Sequence, residues 1–115
     1  MIAVIFEVEP HPKHKEAYFE TAASIAPLLQ EVEGFISVER FQSLTNPDKI
    51  LSLSFFEDEE AVLRWRSLEA HRAAQEAGRG KYFSNYRLRI ASVIRDYGLK
   101  EREQAPDDSK RWHDT

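Results

Sequence analysis

The chain has 115 residues, 42% of them hydrophobic and 31% charged, with a formal net charge of −4. That balance describes one soluble globular domain, able to bury about two thirds of the surface its unfolded form exposes, and excludes a disordered segment. No apolar run is long enough to cross a bilayer, the acidic balance argues against a nucleic-acid binder, and the lack of cysteine removes thiol catalysis, thiolate metal sites and disulfides.

The chain opens with alternating residues. Ile2, Val4, Phe6 and Val8 are apolar, while the intervening positions run Ala3, Ile5, Glu7, Glu9. A period of two with β-branched residues predicts a strand with one buried face. With Glu7 and Glu9 and no basic cluster, this start carries no secretory pattern, and a cytoplasmic protein is expected. His11-Pro12 ends the strand and opens a helix to about Val32. Tyr18, Ala22, Ile25, Leu29 and Val32 form one stripe at helical spacing. Pro27 lies inside it and is expected to kink the helix rather than end it, and Gly34 to stop it.

Residues 35–43 alternate again, with Ile36 and Val38 on one face and Phe35, Ser37, Glu39 and Phe41 on the other. Residues 44–48 have turn chemistry. Residues 49–57 form a third run, in which Leu51, Leu53 and Phe55 alternate with Ile50, Ser52, Ser54 and Phe56. Two such runs across a short turn predict an antiparallel hairpin. Asp58 is a good N-cap for a helix whose inner face holds Ala61, Val62, Trp65 and Leu68. Ser67 is positioned to cap a second, offset segment reaching Ala77, before the Gly78-Arg79-Gly80 stop. Residues 87–97 predict the fourth strand, with Leu88, Ile90 and Ile94 facing inward. Residues 1–97 thus form the domain. Residues 98–115 form a charged tail, expected to be mobile or held by a partner.

The order strand, helix, strand, strand, helix, strand predicts a ferredoxin-like βαββαβ domain of the α+β class. It has a four-stranded antiparallel sheet with both helices on one face. On this reading Leu51, Leu53 and Phe55 belong to the covered face. The open face carries Ile5, Phe35, Phe41, Ile50, Phe56, Val93 and Tyr97. An apolar patch of that extent predicts a homodimer packed through the open sheet face, which Phe41→Asp or Phe56→Asp is expected to disrupt. Glu7 and Glu9 are expected beside Arg89 and Arg87.

Nucleotide-binding loops and HExxH pairs are missing, and His11 and His14 have no third ligand near in sequence. The second helix carries the chemistry-bearing residues. Trp65 and His71 are six residues apart, about 240° on an unbroken helix, so a break at Ser67 is needed to bring both toward the sheet. Histidine is the side-chain type that ordinarily titrates near neutral pH, so His71 suits a general base, or is an ordinary helix-surface residue. Tyr82, Phe83 and Tyr86 are placed to roof a pocket or to serve as plain core. Arg64, Arg66, Arg72 and Arg79 supply local positive charge, either for an anionic ligand or for surface pairs with Glu59, Glu60 and Glu69.

With Gly34-Phe35-Ile36-Ser37, Ser54-Phe55-Phe56-Glu57-Asp58, the stretch 61–78 and Tyr86-Arg87-Leu88-Arg89, the sequence resembles the antibiotic biosynthesis monooxygenase family over residues 1–97. The resemblance implies a dimeric α+β barrel with a pocket between sheet and helices in each protomer. It also implies oxidation of small electron-rich aromatic molecules by molecular oxygen, with no metal or other cofactor. Under it, His71 and Trp65 take the catalytic places, and Arg72, Tyr82, Phe83 and Tyr86 bind substrate. A non-catalytic dimeric module that binds a metabolite or serves a stress response is the alternative. A haem-degrading branch fits less well. Phe6 and Glu7 stand where it has an asparagine, and Gln75 stands near the place of its histidine.

Overall fold

In the computed structural model, β1 (Ile2–Pro10) and β3 (Ile50–Phe56) lie side by side at the centre of one sheet. The edges are β2 (Phe35–Gln42) and β4 (Phe83–Ser92). The order is β2-β3-β1-β4 with every neighbouring pair antiparallel, the ferredoxin-like arrangement expected from the element order. The structure describes residues 1–68, 73 and 82–113.

A 3-10 turn at Pro12–His14 leads into α1 (Lys15–Gln30), which passes through Pro27 without ending. Its last turn tightens, the amides of Glu31 and Val32 donating to the carbonyls of Leu28 and Leu29 at 3.2 and 3.1 Å. Gly34 then takes φ +89°, and a Cβ there would stand 2.6 Å from the Cβ of Ala61, so both backbone and packing require glycine. The hairpin turn is closed by Ser43 and Lys49, whose amides donate to Lys49 and Asn46 carbonyls. α2 (Glu59–Ser67) begins as expected, the Asp58 side chain accepting from the Ala61 amide at 2.8 Å. It ends at Ser67, because Leu68 is extended at φ −67°, ψ 132°.

β4 starts four residues earlier than the sequence suggested and stops at Ser92, so Ile94 and Tyr97 lie beyond the sheet. In the tail, Arg102 donates to the carbonyls of Gly98 and Ser109 and stacks over Tyr97, ahead of α3 (Asp107–His113).

The register corrects two faces of the sheet. Ile2, Val4, Phe6 and Val8 point toward the helices, and they pair with Phe56, Ser54, Ser52 and Ile50. The covered face of β3 is therefore the one that holds serines, while Leu51, Leu53 and Phe55 are on the open side. Phe56, expected at an interface, is fully buried in the core, and Ile50 is buried too. Both phases of β3 are apolar enough to be inner, so local pattern alone could not choose. Pairing with β1 did. Phe35 also changes sides. A bulge between Phe35 and Ser37 puts Phe35 and Val38 on the same face, and the Phe35 ring meets Phe56 edge-on at 5.8 Å. Glu7 stands opposite Arg87 and lies 3.6 Å from both Arg89 and Lys49. Glu9 instead faces Asn85 and accepts from Asn46.

Candidate active site between the sheet and the helices

The core is divided. One cluster gathers Ile2, Leu29, Phe56, Ala61 and Val62 at one end of the covered face, with Trp65 packed against it. The other gathers Val8, Tyr18 and Ile50 at the opposite end, with Phe6, Tyr82 and Phe83 against it. Between them the sheet presents two rungs, Val38–Ser54–Val4–Ile90 and Arg40–Ser52–Phe6–Leu88. At their middle stand two serines, too small to reach the roof. The lining from α1 includes two more small residues, Ala22 and Ala26. The consequence is a cavity of about 330 Å³, within the range of small-molecule sites.

Its walls are chemically sorted. Phe6, Phe83 and Tyr86 form a mutually touching trio, with ring centroids 5.7 to 5.9 Å apart, and Tyr18 meets Phe83 at 5.5 Å. Ile25, Leu29, Val62 and Trp65 add apolar surface. The polar lining is Thr21, Ser52, Ser54, the tyrosine hydroxyls and two arginines, Arg40 and Arg66; no carboxylate is present among the described lining residues. Tyr18 is buried, which pushes its hydroxyl above the ordinary phenol range. The charge of Arg40 and a hydrogen bond from it pull the other way and do not cancel the effect. Tyr18 is thus neutral near pH 7 and accepts from a guanidinium while keeping its own proton.

Of the residues singled out in the sequence, Trp65, Tyr82, Phe83 and Tyr86 all line this cavity. His71 and Arg72 lie outside the described residues. His14 leans on Tyr82 with ring centroids 5.8 Å apart, and His11 is 6.4 Å from His14. Among the described residues no group of three or more His, Asp or Glu side chains is placed to hold a metal ion. The sequence reading missed Arg40, Ser52, Ser54 and Thr21. A signal for Arg40 was present: the alternation that puts Val38 inward puts a charged residue two positions on under the same helices. The serines carried none until β3 was in register.

Comparison with known proteins bears on the family and the fold. The profile of the antibiotic biosynthesis monooxygenases matches residues 1–77. A jasmonate monooxygenase of Pyricularia oryzae is 44% identical over 93 residues, 81% of this chain, though the match spans only 43% of that longer protein. The uncharacterised protein YqjZ of Bacillus subtilis is 30% identical over 86% of this chain and 84% of its own length. Among solved structures, a Deinococcus radiodurans protein put forward as an antibiotic biosynthesis monooxygenase superposes with a TM-score of 0.76. It is 12% identical, covering 85% of this chain and 97% of its own. Rv0793 of Mycobacterium tuberculosis superposes at 0.75 with 13% identity, covering 84% and 98%. No helix among the described residues is long and apolar enough to cross a membrane. In its matched residues as in its strand order, the chain belongs to the antibiotic biosynthesis monooxygenase family.

Proposed function

We propose that this protein is a cytoplasmic monooxygenase that uses molecular oxygen to oxidise a small electron-rich molecule held between sheet and helices. The observation that carries the proposal is the aromatic-walled cavity over Ser52 and Ser54, in a chain of this family. The reaction draws on no bound metal or flavin, because the substrate supplies the electrons. An activated methylene beside a carbonyl or hydroxyaryl ring loses a proton to His71. The resulting carbanion passes an electron to dioxygen, the two radicals join, and the peroxide loses water. The atoms balance: a methylene and a molecule of dioxygen become a carbonyl and a molecule of water, one oxygen atom going to each product. The apolar walls exclude water during these steps, Trp65 shapes the reacting end, and Arg72 favours the anionic form. An aromatic substrate suits the Phe6–Phe83–Tyr86 wall, and the Pyricularia relative adds jasmonate to the molecules worth trying.

The working unit in this proposal is a homodimer. Ile5, Leu51, Leu53, Phe55 and Phe41 share the open face, and Phe41 is 43% exposed in the single protomer. A second copy laid sheet to sheet covers them.

Oxygen uptake with a panel of hydroxyanthrones, hydroquinones and jasmonate is the test. At least one compound is expected to consume one dioxygen per molecule oxidised and to retain one atom of labelled oxygen. Binding without uptake across the panel supports a non-catalytic binding module instead.

A further inference from the structure

We infer that the substrate is an amphipathic acid, and that Arg40 holds its carboxylate at the β2 side of the cavity while the apolar body lies against the aromatic trio. The inference rests on the reading of this cavity as the substrate site.

Charge is the first argument. A protein of net charge −4 lines this cavity with two arginines and, among the described residues, no acid. A positive lining inside an acidic molecule concentrates anions. Position is the second. Arg40 is on the helix-covered face of β2, in one rung with Ser52, and it lines the cavity while remaining exposed to solvent. Among the described residues no Asp or Glu lies within 4.0 Å of it, whereas Glu7 and Glu60 hold other cations of the molecule. The neutral Tyr18 hydroxyl feels its charge, and among the described residues no acid occupies the guanidinium fork. An arginine fork beside a phenol O–H and a serine matches a planar carboxylate. Polarity is the third argument. Along the rung from β2 to β4 the side chains pass from Arg40 through Ser52 to Phe6 and Leu88, so the cavity grades from cation to hydrocarbon. A ligand that is apolar throughout strands the cation; one that is polar throughout wastes the aromatic wall.

Isothermal titration of the purified full chain with 4-phenylbutanoate and its neutral isostere 4-phenylbutanamide tests this. The acid is expected to bind about tenfold more tightly, a modest factor because Arg40 is open to solvent. High salt erodes that advantage. Arg40→Gln removes it by weakening the acid and leaving the amide unchanged, and Arg40→Lys keeps part of it. Equal binding of acid and amide by the parent overturns the inference and leaves the cavity standing as a site. An advantage that survives Arg40→Gln but vanishes in Arg66→Gln moves the anion to the other arginine and likewise overturns it. Failure of both probes to bind removes the cavity reading, and this inference with it.

Discussion

The two sides of the sheet differ most at their middle. The side beneath the helices carries Ser52, Ser54 and Arg40, whereas the bare side carries Leu51, Leu53 and Phe55. There, small polar residues lie under the helices and large apolar ones on the open side, while Ile2, Val8, Ile50 and Phe56 build an ordinary core at the two ends of the covered side. A covered face filled with leucine would have no room for a ligand, and a bare face of serines would have no reason to find a partner. The difference teaches that a polar residue under a helix marks space for something else, and a greasy one in the open marks a surface waiting to be covered.

The hardest way to break the contrast is at Phe56. Fully buried and packed on Phe35, its truncation to alanine is expected to cost about 3–5 kcal/mol in denaturant unfolding. Leu53→Asp on the opposite side of the same strand is expected to leave the protomer folded and to halve the mass seen by analytical ultracentrifugation. Phe41→Asp acts the same way, more weakly, from the edge strand. A parent that sediments as a single protomer would remove the interface assigned to this face.

Filling the covered side sharpens the comparison at lower energy. Ser54→Leu puts a branched side chain onto the floor between Val4 and Val38. Overpacking is expected to cost about 1–3 kcal/mol while lowering affinity for 4-phenylbutanoate at least tenfold. Retained affinity would show that the ligand sits elsewhere.

The smallest effect concerns Tyr18. Because burial raises its pKa, against the opposing pull of Arg40, the folded state holds the phenol proton more tightly than the unfolded state. The stability this brings is complete below about pH 10 and is lost as pH rises through the folded-state value. Tyr18→Phe should therefore flatten the alkaline decline in stability measured by urea unfolding above that pH, with little change near neutrality in the slope against pH.

Much of the architecture was legible. The period-two runs located all four strands, Asp58 capped α2 as expected, and Gly34, expected to stop the first helix, instead supplies the φ of +89° in the turn that follows its end at Gln30. The aromatic lining was legible in part, since Trp65, Tyr82, Phe83 and Tyr86 are large residues close to helix and strand ends. The cavity was not. Two serines of β3 and two alanines of α1, distant in sequence, line it together. Small side chains give no local sign of the space they leave.

By itself the sequence determined which segments extend, which coil, and in what order. From that order follow the ferredoxin-like topology and its single helix-covered side, because those choices depend on local periodicity, capping and the short reach of turns. Only the tertiary structure decided which phase of β3 faces the helices and on which side of β2 Phe35 falls. A shift of one residue, or one bulge, sends every side chain to the opposite face. In a strand that is apolar on both sides, nothing but its pairing partner distinguishes the two.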